Sequence, residues 1–171
     1  MELITFVDEN DNIIGAGTKR EAWDKGIANR IARVFLLNSK GELLIQKRGE
    51  NIVSLPGRFD QSAAGHADEG ETYLQAAKRE LFEEVGVSGV ELREITKIFT
   101  NETDESDKIK KRFNMLYEVV YDGEIKMDPG ELAEVRWIMP EKLDKMMKEK
   151  SDDFTQGFLE SFRKFYELKR K

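Results

Sequence analysis

The sequence predicts an α/β fold in which helices cover both faces of a mixed sheet, an α/β/α sandwich. Short segments rich in β-branched and aromatic residues alternate with amphipathic helical segments along the chain. The chain has 171 residues, of which 39% are hydrophobic, and this is enough to bury one sizeable core. No repeat, low-complexity tract or long linker divides it, so residues 1–171 are expected to form a single domain.

The N-terminal region predicts a hairpin followed by a short helix. Residues 2–7 alternate and are rich in strand formers, residues 8–12 are turn formers, and the strand pattern resumes at residues 13–15. A short helix that begins at Thr18 would stop at Gly26.

The next segments predict a second hairpin. Residues 31–38 form a buried strand, and residues 42–47 return beside it after a turn at residues 39–41. The Pro-Gly pair at 56–57 marks a further turn, and residues 59–64 make a short segment beyond it.

The second half of the chain predicts three strands and a helix. Residues 91–100 and 112–121 are strands that flank an acidic loop at residues 101–108, and residues 135–139 are a final strand. A helix begins at Pro140. Its inward-facing residues are Leu143, Met146 and Met147.

The C-terminal segment, residues 152–169, predicts an amphipathic helix. Its large apolar residues form one stripe at helical spacing: Phe154, Phe158, Leu159, Phe162, Phe165 and Tyr166. The favoured interpretation of this stripe is packing within the chain. The alternative is a contact between the two copies of a homodimer.

The most informative segment is residues 65–87, GHADEGETYLQAAKRELFEEVGV. Residues 65–70 are rich in glycine and small polar residues and predict a loop, after which Glu71 and Thr72 open a helix. Gly86 can end this helix in a left-handed turn. Apolar residues at helical spacing predict its buried stripe, which consists of Leu74, Ala77, Leu81 and Val85.

A second face of the same helix carries Glu80, Glu83 and Glu84, whose spacing of three and four residues predicts converging carboxylates. Like charges at that distance raise one another's pKa unless a cation lies between them. Mg²⁺ suits the position because it binds a few carboxylates and completes its shell with water and phosphate oxygens, and Mn²⁺ is a second candidate. The alternative is a solvated acidic surface, which gives no reason for a glycine at each end of the segment.

Residues 65–87 fill every fixed position of the pattern G-x5-E-x7-R-E-U-x-E-E-x-G-U, where U is aliphatic. The segment therefore resembles the signature of the Nudix superfamily. The resemblance implies a Nudix α/β/α sandwich and a Mg²⁺-dependent pyrophosphohydrolase that acts on a nucleoside diphosphate derivative. It also implies that the Gly65 carbonyl joins Glu80, Glu83 and Glu84 as metal-binding groups.

A wider resemblance covers residues 1–143 and includes VDENDNIIGAGTKREAWDKG, IARVFLLNSKGELLIQKRG, LPGRFDQSAAGH and DPGELAEVRWI. These segments look like the Nudix branch that includes isopentenyl-diphosphate isomerase. Those isomerases carry a cysteine where this chain has Ala64, and they usually depart from the hydrolase signature that this chain retains. Both differences favour hydrolysis over isomerisation on an isomerase-like scaffold.

His66 is the only histidine of the chain. The matching histidine of the isomerases binds a metal, so a ligand role is one interpretation. The favoured interpretation is a hydrogen-bonded structural residue, because the other histidine ligands of an isomerase site do not exist here.

The remaining catalytic candidates are charged. Arg79 is expected to orient the glutamates through an ion pair, and Glu71 is expected to hold the loop against the helix. Related hydrolases draw a further base or metal ligand from a later loop. The candidates here are Glu131, which we favour, then Glu134, with Glu102 and Glu105 behind them, and each has the alternative of a solvated surface carboxylate.

Basic residues near the predicted cleft are candidates for substrate contacts: Arg33, Lys47, Arg48 and Arg58. Each is also compatible with an ordinary surface position. Substrate specificity is expected to lie in residues 50–59 and 101–111, whose conformations do not follow from the sequence. The leaving group is therefore left open.

The amino-acid composition limits the classes of partner, bond and location that are expected. The net charge of −6, with basic residues spread along the chain, argues against nucleic acid as a bulk partner and leaves a small diphosphate compound as the expected one. The absence of cysteine excludes disulfides, thiolate metal sites and a cysteine nucleophile. Neither a membrane-spanning run nor a signal-peptide pattern is evident, so a cytoplasmic location without membrane association is expected. Two other classes remain open, a nucleotide-binding module without turnover and an assembly protein.

Overall fold

The computed structural model describes all 171 residues and has nine strands and four α-helices. The strands are β1 (Ile4–Val7), β2 (Ile13–Gly17), β3 (Ala28–Leu37), β4 (Leu43–Arg48), β5 (Phe59–Asp60), β6 (Ala63–His66), β7 (Arg93–Thr103), β8 (Ile109–Val120) and β9 (Leu132–Ile138). The helices are α1 (Lys19–Lys25), α2 (Tyr73–Val85), α3 (Pro140–Glu149) and α4 (Gln156–Lys169). No helix is long and apolar enough to span a lipid bilayer.

Strand β3 is the centre of a mixed sheet. It pairs in parallel with β8 and antiparallel with β1, β4 and β6. Residues of β3 alternate between the two faces, as they must in a strand that is buried on both sides. Ala32, Val34 and Leu36 pack beneath α2, whereas Phe35 belongs to the opposite core with α3 and α4. Helices thus cover both faces, and the predicted α/β/α sandwich is confirmed.

The phenylalanine stripe packs inside the chain. Phe154, Phe158, Phe162 and Phe165 are each at most 1% exposed, and Phe165 stacks on Phe35 with ring centroids 4.3 Å apart. These four phenylalanines therefore offer no surface to a second copy, and the favoured interpretation, packing within the chain, is confirmed for them. Helix α4 also begins later than predicted, at Gln156, because Thr155 caps it by accepting a hydrogen bond from the Phe158 amide.

The hairpin of β7 and β8 is longer than predicted. Pairing continues to Thr103 and Ile109, so that only residues 104–108 remain as the turn. Cross-strand pairs of opposite charge, such as Glu102 opposite Lys110, stabilise the extension. The acidic residues that predicted a loop are therefore partly strand residues.

The sheet opens between β3 and β4. These strands pair at a single position, Leu37 with Leu43, after which β6 continues along β3 and β5 continues along β4. The divergence leaves a cleft of about 930 Å³ between the two halves. It is large enough for a nucleotide-sized ligand.

Candidate active site

The cleft is polar. Of its 28 lining residues only four are hydrophobic, which makes it unsuited to an apolar ligand. Its walls come from α1, α2, the start of α4 and strands β3 to β8, and from the loop before β5, the turn between β7 and β8 and the segment before β9. Carboxylates gather where α2 meets β6, and cations gather where β3, β8 and α4 meet.

Helix α2, which carries the acidic residues, is capped at both ends. Thr72 and Gln75 form a capping box at its start, and Gly86 ends it with a left-handed φ of 73°. Its buried face runs from Ala76 to Val85, whereas Leu74, in the first turn, stays 38% exposed. The prediction that Leu74 is buried is therefore wrong, because packing covers the stripe only from the second turn onward.

Arg79 is the centre of the acidic network. Its guanidinium donates hydrogen bonds to both carboxylate oxygens of Glu71, at 2.8 and 2.9 Å, and to Glu80 at 2.7 Å. It reaches Glu83 at 3.3 Å and Asp68 at 3.5 Å, and it donates to the backbone carbonyl of His66. One cation therefore serves four carboxylates and ties the loop before α2 to the helix.

Glu71 completes that tie. Its second oxygen accepts a hydrogen bond from the Asp68 amide at 2.9 Å, which closes the loop on itself. The bidentate pair with Arg79 and this backbone contact hold the pKa of Glu71 below its usual value.

The three predicted metal-binding glutamates have different surroundings. Glu84 is 7% exposed and accepts a hydrogen bond from the Gln46 side chain, Glu80 is partly buried beside it with its side chain 14% exposed, and Glu83 is half exposed. Burial raises the pKa of both Glu80 and Glu84, and in Glu84 the charge of Glu80 adds to the increase.

Gly65 lies in β6, not in the loop that the sequence predicts. A methyl group at this position would overlap the carboxylate of Glu80. The glycine is needed because strand and helix approach closely here, which a composition-based loop prediction does not register.

The acidic end of the cleft fits a divalent cation by its chemistry. Glu80 has only part of the charge of Arg79, the neighbouring Glu84 has no ion pair, and oxygen donors of this kind are what Mg²⁺ prefers. No three acidic or histidine side chains form a ready cage. The candidate ligands are the side chains of Glu80, Glu83 and Glu84 and the Gly65 carbonyl, and Mg²⁺ needs only a few of them because water and phosphate complete its shell.

Comparison with known proteins identifies the family. The model of the NUDIX domain matches residues 28–158. An uncharacterised Nudix hydrolase of Pseudomonas aeruginosa is 34% identical over 82% of this chain and 80% of its own length. An isopentenyl-diphosphate Delta-isomerase of Streptomyces coelicolor is 33% identical over 92% of this chain and 80% of its own length.

This chain belongs to the Nudix family. A crystal structure of a Deinococcus radiodurans protein shares the fold, with a TM-score of 0.76 and 24% identity over 95% of this chain and 98% of the other. The predicted resemblance is confirmed, and the chain is a Nudix hydrolase that acts on phosphoric anhydride bonds.

The other predicted residues of this Nudix chain separate into two groups. The cleft is lined by Glu131, Glu102, Glu105, Arg33, Arg48 and Arg58. Glu134 and Lys47 lie outside it. Glu134 pairs with Arg136 at 2.7 Å. Strand alternation turns Lys47 away from the face of Gln46 and Arg48, and its ammonium lies 5.9 Å from the centre of the Phe59 ring.

His66 lies on the cationic side of the cleft. Since Gly65 faces Glu80, alternation in β6 directs the next side chain to the other face of the sheet. Its Nδ1 is 3.1 Å from the Asn29 side-chain oxygen. Burial lowers the pKa of His66 well below its usual value, and nearby cations, foremost Arg112, lower it further. These nearby positive charges disfavour the binding of a metal cation at His66.

Sequence reasoning missed several residues that line or border the cleft. Gln46 and Asp60 flank Glu84, and Asp60 and Arg112 both line the cleft. The parallel pairing of β3 with β8 brings Arg112 close to Arg33, across 79 positions of sequence. A charged residue at an inward-facing position of a buried strand was the one signal available for Arg112.

Proposed function

We propose that this chain hydrolyses the diphosphate linkage of a nucleoside diphosphate derivative and that it requires Mg²⁺, with Mn²⁺ as a substitute. The supporting observation is the pair of Glu80 and Glu84 against Gly65, in which Glu80 has a fraction of one arginine's charge and the buried Glu84 has no ion pair. Such a pair is costly to keep ionised without a further cation. A small diphosphate compound in the cytoplasm is the proposed partner, rather than a nucleic acid polymer or a membrane.

The roles of the chain's own residues follow from their positions. Glu80, Glu84, Glu83 and the Gly65 carbonyl would hold the ion, and Arg79 would fix the glutamates through its ion pairs. The ion supplies neutralisation of phosphate charge and a lowered pKa for a bound water. Glu131 is exposed on the wall of the cleft, near enough to add to the field on Glu84, and would accept the proton of the attacking water.

Arg48 and Arg58 are the proposed contacts to the substrate's phosphates. Both line the cleft at the start and end of the loop that joins β4 to β5. Arg48 lies 3.6 Å from Asp60, so its charge is partly compensated, whereas Arg58 makes no ion pair. Lys47 cannot take this role because its side chain faces away from the cleft.

Isomerisation of isopentenyl diphosphate is the second candidate, because several relatives carry that name. Against it, Ala64 stands where the isomerases that the sequence resembles have a cysteine, and the chain contains none. An alanine methyl cannot exchange a proton with an allylic carbon.

A substrate panel tests the proposal. Purified protein is incubated with nucleoside diphosphates and triphosphates, nucleotide sugars, dinucleoside polyphosphates and isopentenyl diphosphate, each with Mg²⁺ and with excess chelator. We expect phosphate or nucleoside monophosphate products from at least one nucleotide, and no product with chelator. Migration of the double bond without phosphate release would support the isomerase instead, and tight nucleotide binding without turnover in Mg²⁺ or Mn²⁺ would support a binding module.

A further inference from the structure

Two guanidinium groups at the cationic end of the cleft have no carboxylate partner. Arg33 is 5% exposed and donates only to neutral oxygens, those of Asn114 at 2.8 Å and Gln61 at 3.0 Å. Arg112 is partly buried, its solvent-shielded Nε has no hydrogen-bond partner, and none of the structure's ion pairs includes it. Both residues line the cleft.

The two groups repel each other. Burial lowers the pKa of Arg33 to about 10, and the positive charge of Arg112 contributes to the decrease. The carboxylates that attract both, Asp60, Glu102 and Glu160, lie beyond ion-pairing distance. Uncompensated buried charge is strongly unfavourable, so the arrangement favours an anion between or beside the guanidiniums.

The N-terminus of α4 adds to the positive field. Gln156 and Gly157 line the cleft, and the amides of a helix's first turn have no intrahelical acceptor. Gly157 lies against Arg33, since a methyl group there would overlap the guanidinium. The helix terminus and the arginine therefore face the same space.

Neighbouring lysines extend this positively charged region, but each of them already has a carboxylate partner. Lys110 lies 5.0 Å from the centre of the Trp23 ring and pairs with Asp104 at 3.4 Å, and Lys19 pairs with Glu2 at 3.3 Å. Both are thus partly compensated.

We propose that Arg33, Arg112 and the first turn of α4 form a phosphate seat that needs no metal ion. The inference rests on the proposed function for the identity of the anion, because the same cleft would hold a diphosphate compound at its acidic end. Guanidinium forks and helix amides both match tetrahedral phosphate oxygens. The substrate would then lie along the cleft, with one phosphate on α2 and another on the arginines.

The test measures anion binding without metal. Metal-stripped protein, free of chelator, is titrated with inorganic triphosphate by calorimetry. We expect the wild type to bind, Arg112→Gln to raise the dissociation constant about tenfold or more, and Arg112→Lys to lie between them. Arg20→Gln is the matched control, because Arg20 loses the same charge on the exposed face of α1, outside the cleft.

Each outcome decides the proposal. Absence of metal-free binding, or equal weakening by Arg112→Gln and Arg20→Gln, would overturn the seat. Thermal melting of Arg112→Gln checks that this variant retains the fold. If it does not fold, Arg112→Lys is the deciding variant, and a dissociation constant equal to that of the wild type would overturn the seat. Glu83→Gln should bind triphosphate as well as the wild type or better, since it removes a negative charge. A chain that binds triphosphate in this way but cleaves nothing in the substrate panel would keep the seat and lose the proposed hydrolysis.

Discussion

The two ends of the cleft carry opposite charges and are built in opposite ways. At the acidic end, β6, α2 and the loop between them supply the residues, and Arg79 distributes its charge over four carboxylates. At the cationic end, β3, β8 and α4 supply the residues, and Arg33 and Arg112 have only neutral partners or none. The acidic end has an excess of negative charge, which a divalent cation would neutralise. The cationic end has an excess of positive charge, which a phosphate group of a diphosphate compound would neutralise.

The largest expected effect comes from removing a charge at the acidic end. Glu83→Gln should lower turnover on the order of 10²-fold or more, because the half-exposed Glu83, held only by a 3.3 Å contact to Arg79, can engage the cation on which the proposed reaction depends. The measurement is the steady-state turnover number with Mg²⁺ on the substrate that the panel identifies.

The matched control for that variant is Glu134→Gln, which changes a carboxylate outside the cleft. Turnover of Glu83→Gln near that of Glu134→Gln would refute the assignment of the acidic end as the catalytic one.

Loss of Arg79 should chiefly affect stability. Arg79→Gln leaves Glu71 and Glu80 without their shared cation, so we expect the free energy of unfolding to fall by about 2–3 kcal/mol, less than for a fully buried pair. Urea denaturation measures it. Arg79→Lys should recover only part of the loss, since an ammonium cannot make the bidentate contact with Glu71. Full recovery with lysine would show that charge alone matters here.

A methyl group at Gly65 should separate activity from stability. Gly65→Ala would push the Glu80 carboxylate out of position while β6 keeps its pairing with β3. We expect turnover to fall by about tenfold to a hundredfold. Thermal melting measured alongside should change little, and a large loss of stability would mean that the backbone, not the carboxylate, yields.

The smallest expected effect is a pH dependence of stability in the metal-free protein. Burial raises the pKa values of Glu80 and Glu84 above the usual 4.5, so the folded state binds protons that the unfolded state releases. Stability should therefore fall as the pH rises from the ordinary glutamate value through the raised folded values. Urea midpoints measured across this range should show a shallower slope for Glu84→Gln than for the wild type. An equal slope would mean that Glu84 is ionised in the folded protein without metal.

The same contrast explains what could be read from the sequence. The motif helix, its glycine end and the family follow from local spacing, because an α-helix brings residues three and four apart onto one face. The placement of Gly65 and His66 in a strand does not follow, since glycine-rich composition is also typical of loops. The seat at Arg33 and Arg112 depends on a parallel strand pairing between distant segments, which has no local signature.

The N-terminal hairpin and the C-terminal helix show that local patterns predict an element but not its exact boundaries. Alternation predicted β1 and β2, and the phenylalanine spacing predicted α4, but the start of α4 was set by the cap at Thr155. Phe154 precedes the helix and still packs in the same core. Periodicity thus identified the buried residues better than it identified the element boundary.

Manganese binding followed by electron paramagnetic resonance tests the account's central claim most directly. We expect the metal-free wild type to bind Mn²⁺, Glu80→Gln and Glu84→Gln to weaken binding by about tenfold or more, and Glu134→Gln to leave it unchanged. Equal Mn²⁺ affinity in all four proteins would contradict the claim that Glu80 and Glu84 of α2 bind the ion.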